Sequence, residues 1–97
     1  MYIVYGQADI QIIYSDSLKA KRKIVNSIIS RIKNRFNVSI CEADYHDLRQ
    51  RTLLGFAAVT HTHSEIELIL QSIEQIILSF DEITLLGFDA KENMITD

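Results

Sequence analysis

Proline is absent from this 97-residue chain, cysteine occurs once, and no long apolar run is present. Because the chain also has no stretch of linker composition, we expect one domain over residues 1–97. No apolar run approaches the ~20 residues that span a bilayer, which argues against a membrane-embedded protein. The single Cys41 has no partner for an intramolecular disulfide, which fits a reducing compartment.

The N-terminus also lacks the charged and apolar regions of a signal peptide, because a strand-like pattern begins at once. We therefore expect a cytoplasmic location. Hydrophobic residues make up 47% of the chain and charged residues 24%, the composition of an ordinary folded domain rather than a disordered segment. A domain of this size buries only about 60–65% of its unfolded surface, so a dimer partner would add stability.

Alternating and helical patterns predict six elements. In the first, Val4, Ala8 and Ile10 share one side and Asp9 lies on the other, as in a strand with one buried face. The predicted elements are a strand over residues 2–14, a helix from Leu18 for which Asp16 and Ser17 offer a cap, a strand over 37–43, a strand over 52–62, a helix capped by Ser64 with Glu67, and a strand over 82–89.

The element order β-α-β-β-α-β predicts an α+β, ferredoxin-like fold. Right-handed crossovers would place both helices on one face of a four-stranded antiparallel sheet. The three glycines (Gly6, Gly55 and Gly87) all fall within strand patterns, which suggests bulges or close approach of neighbouring groups. From about Ala90 the tail is polar, and we expect it to be frayed.

Basic residues are scarce outside one segment. Nine of the ten lie between Leu18 and Arg51, where three acids accompany them, so this segment carries +6 in a protein of net charge −3. The rest of the chain holds Lys91 and ten acids. Such segregation creates a positive local field that attracts polyanions. The nine candidate nucleic-acid-binding residues are Lys19, Lys21, Arg22, Lys23, Arg31, Lys33, Arg35, Arg49 and Arg51.

Four of these cations crowd the first two turns of the first predicted helix. Exposed cations there oppose the helix dipole by about 0.3–1 kcal/mol each, whereas a phosphate would gain from the dipole and the free amides. On a helical wheel Lys21 lies beside the apolar stripe, where its ammonium group would snorkel to solvent. Arg31 and Arg35 lie on the opposite flank from Lys19, so the basic surface wraps the helix. Residues 44–51 form a polar loop that could extend it.

Three runs of residues carry a family resemblance: Ser17-Leu-Lys-Ala-Lys-Arg-Lys-Ile-Val, Arg35-Phe-Asn-Val-Ser, and His46-Asp-Leu-Arg-Gln-Arg-Thr with Gly55 and Ala58-Val59 after it. Together they resemble the YlxP-like family of small bacterial proteins, over about residues 1–80. The resemblance implies a ferredoxin-like fold and a bacterial cytoplasmic setting. It also implies a gene neighbourhood shared with translation-initiation and ribosome-maturation factors, and hence association with RNA or the ribosome. It implies no reaction.

Other chemistry finds little support. The third strand keeps Phe56 of the RNA-recognition-motif consensus but lacks its basic first position and its second stacking aromatic, so we interpret Phe56 as a core residue. Cys41 lies near acids, which disfavour a reactive thiolate. His46, His61 and His63 lack the tight spacing of zinc ligands. We therefore expect no catalytic residue, no metal and no cofactor.

The sequence thus predicts a non-catalytic protein that binds RNA or a ribosomal subunit through phosphate contacts from the first helix and the 44–51 loop. Three alternatives stay open. The cations could simply be solvated or paired with nearby acids, or they could serve a protein partner. The chain could also be an interaction module that forms a homodimer through the open face of its sheet, because the third strand is apolar on both sides.

Overall fold

The computed structural model of the protein describes residues 1–96. Its elements are β1 (Tyr2–Ile12), α1 (Leu18–Arg35), β2 (Ser39–Asp44), β3 (Arg51–Thr60), α2 (His63–Leu78) and β4 (Ile83–Met94). The four strands form an antiparallel sheet in the order β2-β3-β1-β4. This arrangement confirms the predicted α+β, ferredoxin-like fold.

One face of the sheet is buried beneath the two helices. Val4, Ala8 and Ile10 of β1 are fully buried, and Leu54 and Phe56 of β3 lie beside them in the core. The register of β3 thus settles which side of this apolar strand faces inward, and it confirms Phe56 as a core residue. The buried side chains of α1 and α2 complete the core. We call the other side of the sheet, which no helix covers, the open sheet face.

The helices occupy different ends of the sheet. α1 packs against β2 and α2, whereas α2 packs mainly against β4. Of the two predicted cap residues, Ser17 caps α1: its Oγ accepts a hydrogen bond from the backbone N–H of Ala20 at 3.0 Å. Because its main sheet contacts are with β2, α1 lies toward the β2 edge of the sheet. One long side of α1 faces solvent.

The cap of α2 differs from the predicted one. Thr62, rather than Ser64, is the N-cap, and its hydroxyl accepts from the N–H of Glu65. The Glu65 carboxylate in turn accepts from the N–H of His61 at 3.2 Å. Thr62 and Glu65 have the three-residue separation of a capping box, so this alternative pair begins the helix two residues earlier.

The end of β4 also differs from expectation. The predicted frayed tail from about Ala90 is wrong up to Met94, because β4 continues to that residue. Residues 91–94 pair with residues 2–5 of β1, and the N–H of Ile95 donates to the carbonyl of Met1 at 2.9 Å. Polar side chains therefore do not prevent pairing here, because the long β1 supplies backbone partners along its whole length.

Gly6 has the close-packed position that the strand glycines suggested. A Cβ at Gly6 would collide with the carbonyl oxygen of Asp89 and lie 2.7 Å from Cζ of Phe56. Phe56 in turn stacks on Phe88, with ring centroids 5.8 Å apart. The missing side chain thus makes room for an aromatic pair between β3 and β4. Gly87 lies at the register shift between β1 and β4, which is the bulge expected of such a residue.

Candidate nucleic-acid interface

The solvent-facing side of α1 carries six basic side chains in two groups. All six are exposed, and α1 holds one group in its first turns and the other near its end. At a rise of 1.5 Å per residue, the row from residue 19 to residue 35 is about 24 Å long. We call this surface the α1 basic face; it consists of Lys19, Arg22, Lys23, Arg31, Lys33 and Arg35.

Acids are absent from the sequence of α1 and from the residues that follow it up to β2. No Asp or Glu occurs between Ser17 and Cys41. The ion pairs formed within residues 1–96 engage Lys21 and Arg51 but no residue of the α1 basic face. The α1 basic face therefore keeps its positive charge. The alternative in which its cations are paired with nearby acids does not describe the structure.

The two groups of cations differ in their structural cost. Lys33 and Arg35 lie in the last turn of α1, where positive charge is favourable next to the helix dipole. The first turn contains no acid, and Lys19 stands there instead. The dipole therefore accounts for the C-terminal group but opposes the N-terminal group, as the sequence indicated.

Two arginines of the C-terminal group are held against aromatic rings. The guanidinium of Arg31 lies 4.5 Å from the centroid of the Phe80 ring and donates to the hydroxyl of Ser79 at 3.3 Å. The guanidinium of Arg35 lies 5.8 Å from the ring of Phe36. These contacts restrict the side chains while leaving their outer N–H groups free to bind an anion.

Lys21 does not belong to this surface. The prediction that its ammonium group reaches solvent and joins the interface is wrong. Its side chain is fully buried, with Nζ 2.7 Å from Oε2 of Glu42. It also donates to the carbonyl of Tyr45 at 2.6 Å and to that of His46 at 3.4 Å. The ammonium group thus points into the protein, where it fastens α1 to the start of the 44–51 loop.

Glu42 is ionised in this buried pair. Burial by itself raises the pKa of Glu42, but hydrogen bonds from Lys21 and from the Thr52 hydroxyl, together with the charge of Lys21, outweigh it and hold the pKa below its ordinary value. Sequence reasoning missed this network. The signal was present in the spacing, because Lys21 precedes Val25 by four residues, Ile28 by seven and Ile32 by eleven, the rhythm of a buried helix stripe.

Arg51 is the second cation that the structure places away from α1. Its Nε and one terminal nitrogen donate to the two carboxylate oxygens of Asp9 at 2.7 and 2.8 Å, on the open sheet face. Its guanidinium also lies 4.9 Å from the centroid of the Tyr45 ring. The hydrogen bond from Arg51 lowers the pKa of Asp9. This bidentate pair holds Arg51 on the open sheet face, so Arg51 does not join the α1 basic face.

Arg49 does approach the first helix. One terminal nitrogen of its guanidinium donates to the carbonyl of Asp16 at 3.3 Å, two residues before α1 begins. The next residue, Gln50, donates to the carbonyl of Ser15 at 3.2 Å. The 44–51 loop therefore contributes one exposed cation, Arg49, near the N-terminal group of the α1 basic face.

A family model described as "Protein of unknown function (DUF503)" matches residues 3–90. The "Uncharacterized protein YlxP" of Bacillus subtilis (strain 168) is 41% identical over 81 residues, which cover 84% of this chain and 88% of that relative. The chain belongs to the DUF503 family. Membership confirms the YlxP-like resemblance, and the matched range extends beyond residue 80 to include part of β4.

The charge of this DUF503 protein changes sign from one helix to the next. α2 presents exposed Glu65, Glu67 and Glu74, and exposed Asp81 and Glu82 follow it. A polyanion that contacts α1 would be repelled by α2. Any such partner must therefore lie over the outer side of α1, where it avoids the acids of α2.

The open sheet face of the DUF503 chain is largely apolar along its middle. Tyr5 lies opposite Ala57, and Ile3 lies opposite Val59. Val59 is 64% exposed and Tyr5 is 44% exposed. Cys41 lies on the same face, is exposed, and pairs with Gly55. The face thus combines small side chains with two exposed hydrophobic ones.

The histidines of the DUF503 chain have separate surroundings. β3 ends before His61, and His63 begins α2, so the two do not alternate along one strand. Nε2 of His63 lies 2.7 Å from a carboxylate oxygen of Glu92, and this hydrogen bond raises the pKa of His63. Nε2 of His46 lies 3.0 Å from the carbonyl of Glu42. Within residues 1–96 no three His, Cys, Asp or Glu side chains are arranged to hold a metal ion.

No helix within residues 1–96 is long and apolar enough to cross a membrane.

Proposed function

We propose that this protein is a non-catalytic RNA-binding protein that contacts the phosphates of RNA, including ribosomal RNA in a subunit, through the α1 basic face and Arg49. The observation that carries the proposal is the exposed and acid-free side of α1, which holds six cations without a carboxylate partner within residues 1–96. Lys and Arg side chains at this density bind phosphate backbones with little regard to sequence.

The arrangement of the C-terminal cations supports this proposal over simple solvation. Arg31 is held by Phe80 and Ser79, so less side-chain freedom is lost when it binds a phosphate. The cations of the first turns stand where the helix dipole opposes them, and a bound phosphate relieves that cost. The proposal assigns the protein to the cytoplasm, where RNA is present and the lone Cys41 stays reduced.

The test is the affinity of the protein for a structured RNA at two salt concentrations, measured by filter binding. With four or five phosphate contacts, we expect the association constant to fall about 100-fold or more between about 50 and 200 mM salt. Co-sedimentation with ribosomal subunits and release as salt is raised would place ribosomal RNA among the ligands. Lack of RNA binding at the lower salt concentration would remove the proposal.

A matched pair of variants identifies the surface. Lys23→Gln and Lys91→Gln each remove one exposed cation, the first from α1 and the second from β4. Glutamine is well tolerated in a helix, so Lys23→Gln leaves α1 intact. The proposal predicts weaker RNA binding for Lys23→Gln and unchanged binding for Lys91→Gln. Equal losses from both would show a response to net charge alone.

A second candidate function is homodimerisation through the open sheet face, favoured by the exposed Val59 and Tyr5. Four strands about 4.8 Å apart and about ten residues long at about 3.3 Å per residue give a face on the order of 600 Å². Standard interfaces bury about 800 Å² per partner, so a second copy covers an area close to that of a stable dimer. A dimer formed in this way leaves both α1 basic faces outside, available for RNA.

Light scattering tests the dimer, which has twice the mass of the 11.2 kDa chain. Val59→Asp introduces a charge at an exposed apolar position of the open sheet face, opposite Ile3, and we expect it to yield a monomer. Leu68→Asp is the control, because Leu68 is 55% exposed but belongs to α2. A wild-type monomer at high concentration, or a dimer that survives Val59→Asp, would exclude this interface.

A further inference from the structure

Neutral polar side chains run along the middle of the α1 basic face. Asn26, Ser30 and Asn34 are spaced four residues apart and therefore form one row on the helix surface. All three are exposed. The N-terminal cations lie before this row and most of the C-terminal cations lie beside its end. Phosphate binding alone does not explain why amides and a hydroxyl occupy the centre of the face.

Asn26, Ser30 and Asn34 can make the same kinds of hydrogen bond as the ribose 2′-hydroxyl of RNA. Asn and Ser both donate and accept hydrogen bonds. The ribose 2′-hydroxyl of RNA does the same, and it is the group that distinguishes RNA from DNA at a given site. A row of such side chains with cations on both sides matches a row of 2′-hydroxyls with phosphates on both sides.

The position of α1 in the fold restricts the kind of groove it can enter. α1 lies against the sheet and beside α2, so only its outer side is free. A helix with its side chains is about 10–12 Å across. The B-form minor groove is only about 6 Å wide, and the B-form major groove, which admits an α-helix, displays no 2′-hydroxyls. The major groove of an A-form helix is deep and narrow. The A-form minor groove is wide and shallow and displays the 2′-hydroxyls, so a helix held flat can reach its floor.

We propose that the α1 basic face binds the minor-groove side of an A-form RNA duplex, with Asn26, Ser30 and Asn34 contacting 2′-hydroxyls and the flanking cations contacting the phosphates of the two strands. This inference rests on the proposed function. It assigns the ligand as double-helical RNA and the selection against DNA to the three neutral residues. The acids of α2 restrict the duplex to the outer side of α1.

The experiment compares the affinities for a 20-base-pair RNA duplex, the DNA duplex of the same sequence and the single-stranded RNA, all at one salt concentration. We expect the RNA duplex to bind at least about tenfold more tightly than the DNA duplex, since several modest hydrogen bonds are lost with DNA. The triple variant Asn26→Ala, Ser30→Ala, Asn34→Ala should lose this preference while keeping the salt dependence of wild type. Alanine favours the helix, so the variant remains folded.

The control is the α2 variant Gln71→Ala, Gln75→Ala, which removes two exposed amides from the other helix and should keep the RNA preference. Equal binding of RNA and DNA duplexes by wild type, tighter binding of single-stranded RNA, or a preference that survives the triple variant would overturn this inference but leave RNA binding in place. Absence of binding to all three nucleic acids would instead overturn the proposed function, and this inference with it.

Discussion

The Nζ atom of Lys21 and the Oε2 atom of Glu42 are 2.7 Å apart, and the side chain of Lys21 is fully buried. This pair links the inner side of α1 to β2 and, through the carbonyl of Tyr45, to the following loop. It separates the cations of α1 into one that organises the fold and six that face solvent. The functional proposal depends on the six exposed cations, whereas Lys21 contributes to the stability of the fold.

The first prediction concerns this buried pair. Glu42→Gln removes the negative charge and leaves the ammonium group of Lys21 buried without a counterion. We expect a loss of about 3–5 kcal/mol in the free energy of unfolding, measured by urea denaturation. The double variant Lys21→Met, Glu42→Gln should recover much of this loss, since no uncompensated charge is left. A double variant no more stable than Glu42→Gln would show that the cost comes from the loop contacts.

The second prediction separates the two arginines that end the 44–51 loop. Arg49→Gln should weaken RNA binding and lower the salt slope by about 0.7–0.9, the contribution of one phosphate contact. Arg51→Gln should leave RNA binding unchanged, because Arg51 pairs with Asp9 on the open sheet face. Its effect should be a small loss of stability, as for other solvent-exposed ion pairs. Reversal of the two effects on RNA would place the interface on the open sheet face.

The third prediction is a pH dependence of stability from His63. The hydrogen bond to Glu92 raises the pKa of His63, so the folded protein binds this proton more tightly than the unfolded chain does. The stabilisation is complete below about pH 6.5, the ordinary histidine pKa, and is lost as the pH rises through the raised value. The difference in unfolding free energy between wild type and Glu92→Gln should therefore shrink as the pH rises above about 6.5 and through the raised pKa of His63.

Glu74→Gln provides the control for this titration. Glu74 is exposed on α2. Within residues 1–96 its carboxylate forms no ion pair with a histidine. Its difference from wild type should not change over the same pH range. If the Glu92→Gln difference is equally constant, the His63–Glu92 contact does not persist in solution.

The fourth prediction concerns the end of β4. Removal of residues 91–97 deletes the backbone partners of residues 2–5, and we expect a loss of about 2 kcal/mol from a few ladder hydrogen bonds. Removal of residues 96 and 97 alone should change stability little, since β4 ends at Met94. Urea denaturation of both truncations checks this prediction. Equal stability of the two shortened chains would restore the frayed tail that the polar sequence suggested.

The fold was predictable because most of its elements contain several apolar residues at the spacing of a strand or of a helix. A strand with Val4, Ala8 and Ile10 on one side has few alternative partners in a chain of this length, and Asp16 and Ser17 together mark the start of α1. The caps and strand ends were less predictable. Thr62 and Ser64 can each cap α2, and the choice depends on the Glu65 carboxylate reaching the N–H of His61. The length of β4 depends on β1, not on its own composition.

The candidate site was predictable in its charge but not in its members. Lys19 and Lys21 have the same formal charge and stand two residues apart, yet one is exposed and the other is buried. The stripe of α1 indicates a buried position for Lys21, but its counterion comes from β2, which is distant in sequence. The partner of Arg51 is equally remote, because the β1–β3 register brings Asp9 to it. Such long-range pairs are known only once the strands are aligned.

The most direct test of the central claim is the salt dependence of RNA affinity for wild type and for the triple variant Lys19→Gln, Arg22→Gln, Lys23→Gln. If these cations contact phosphates, the slope of log K against log salt should become less steep by about 2–3 in the variant. Circular dichroism and urea denaturation should show the variant as folded as wild type. The same slope in both proteins would contradict the account.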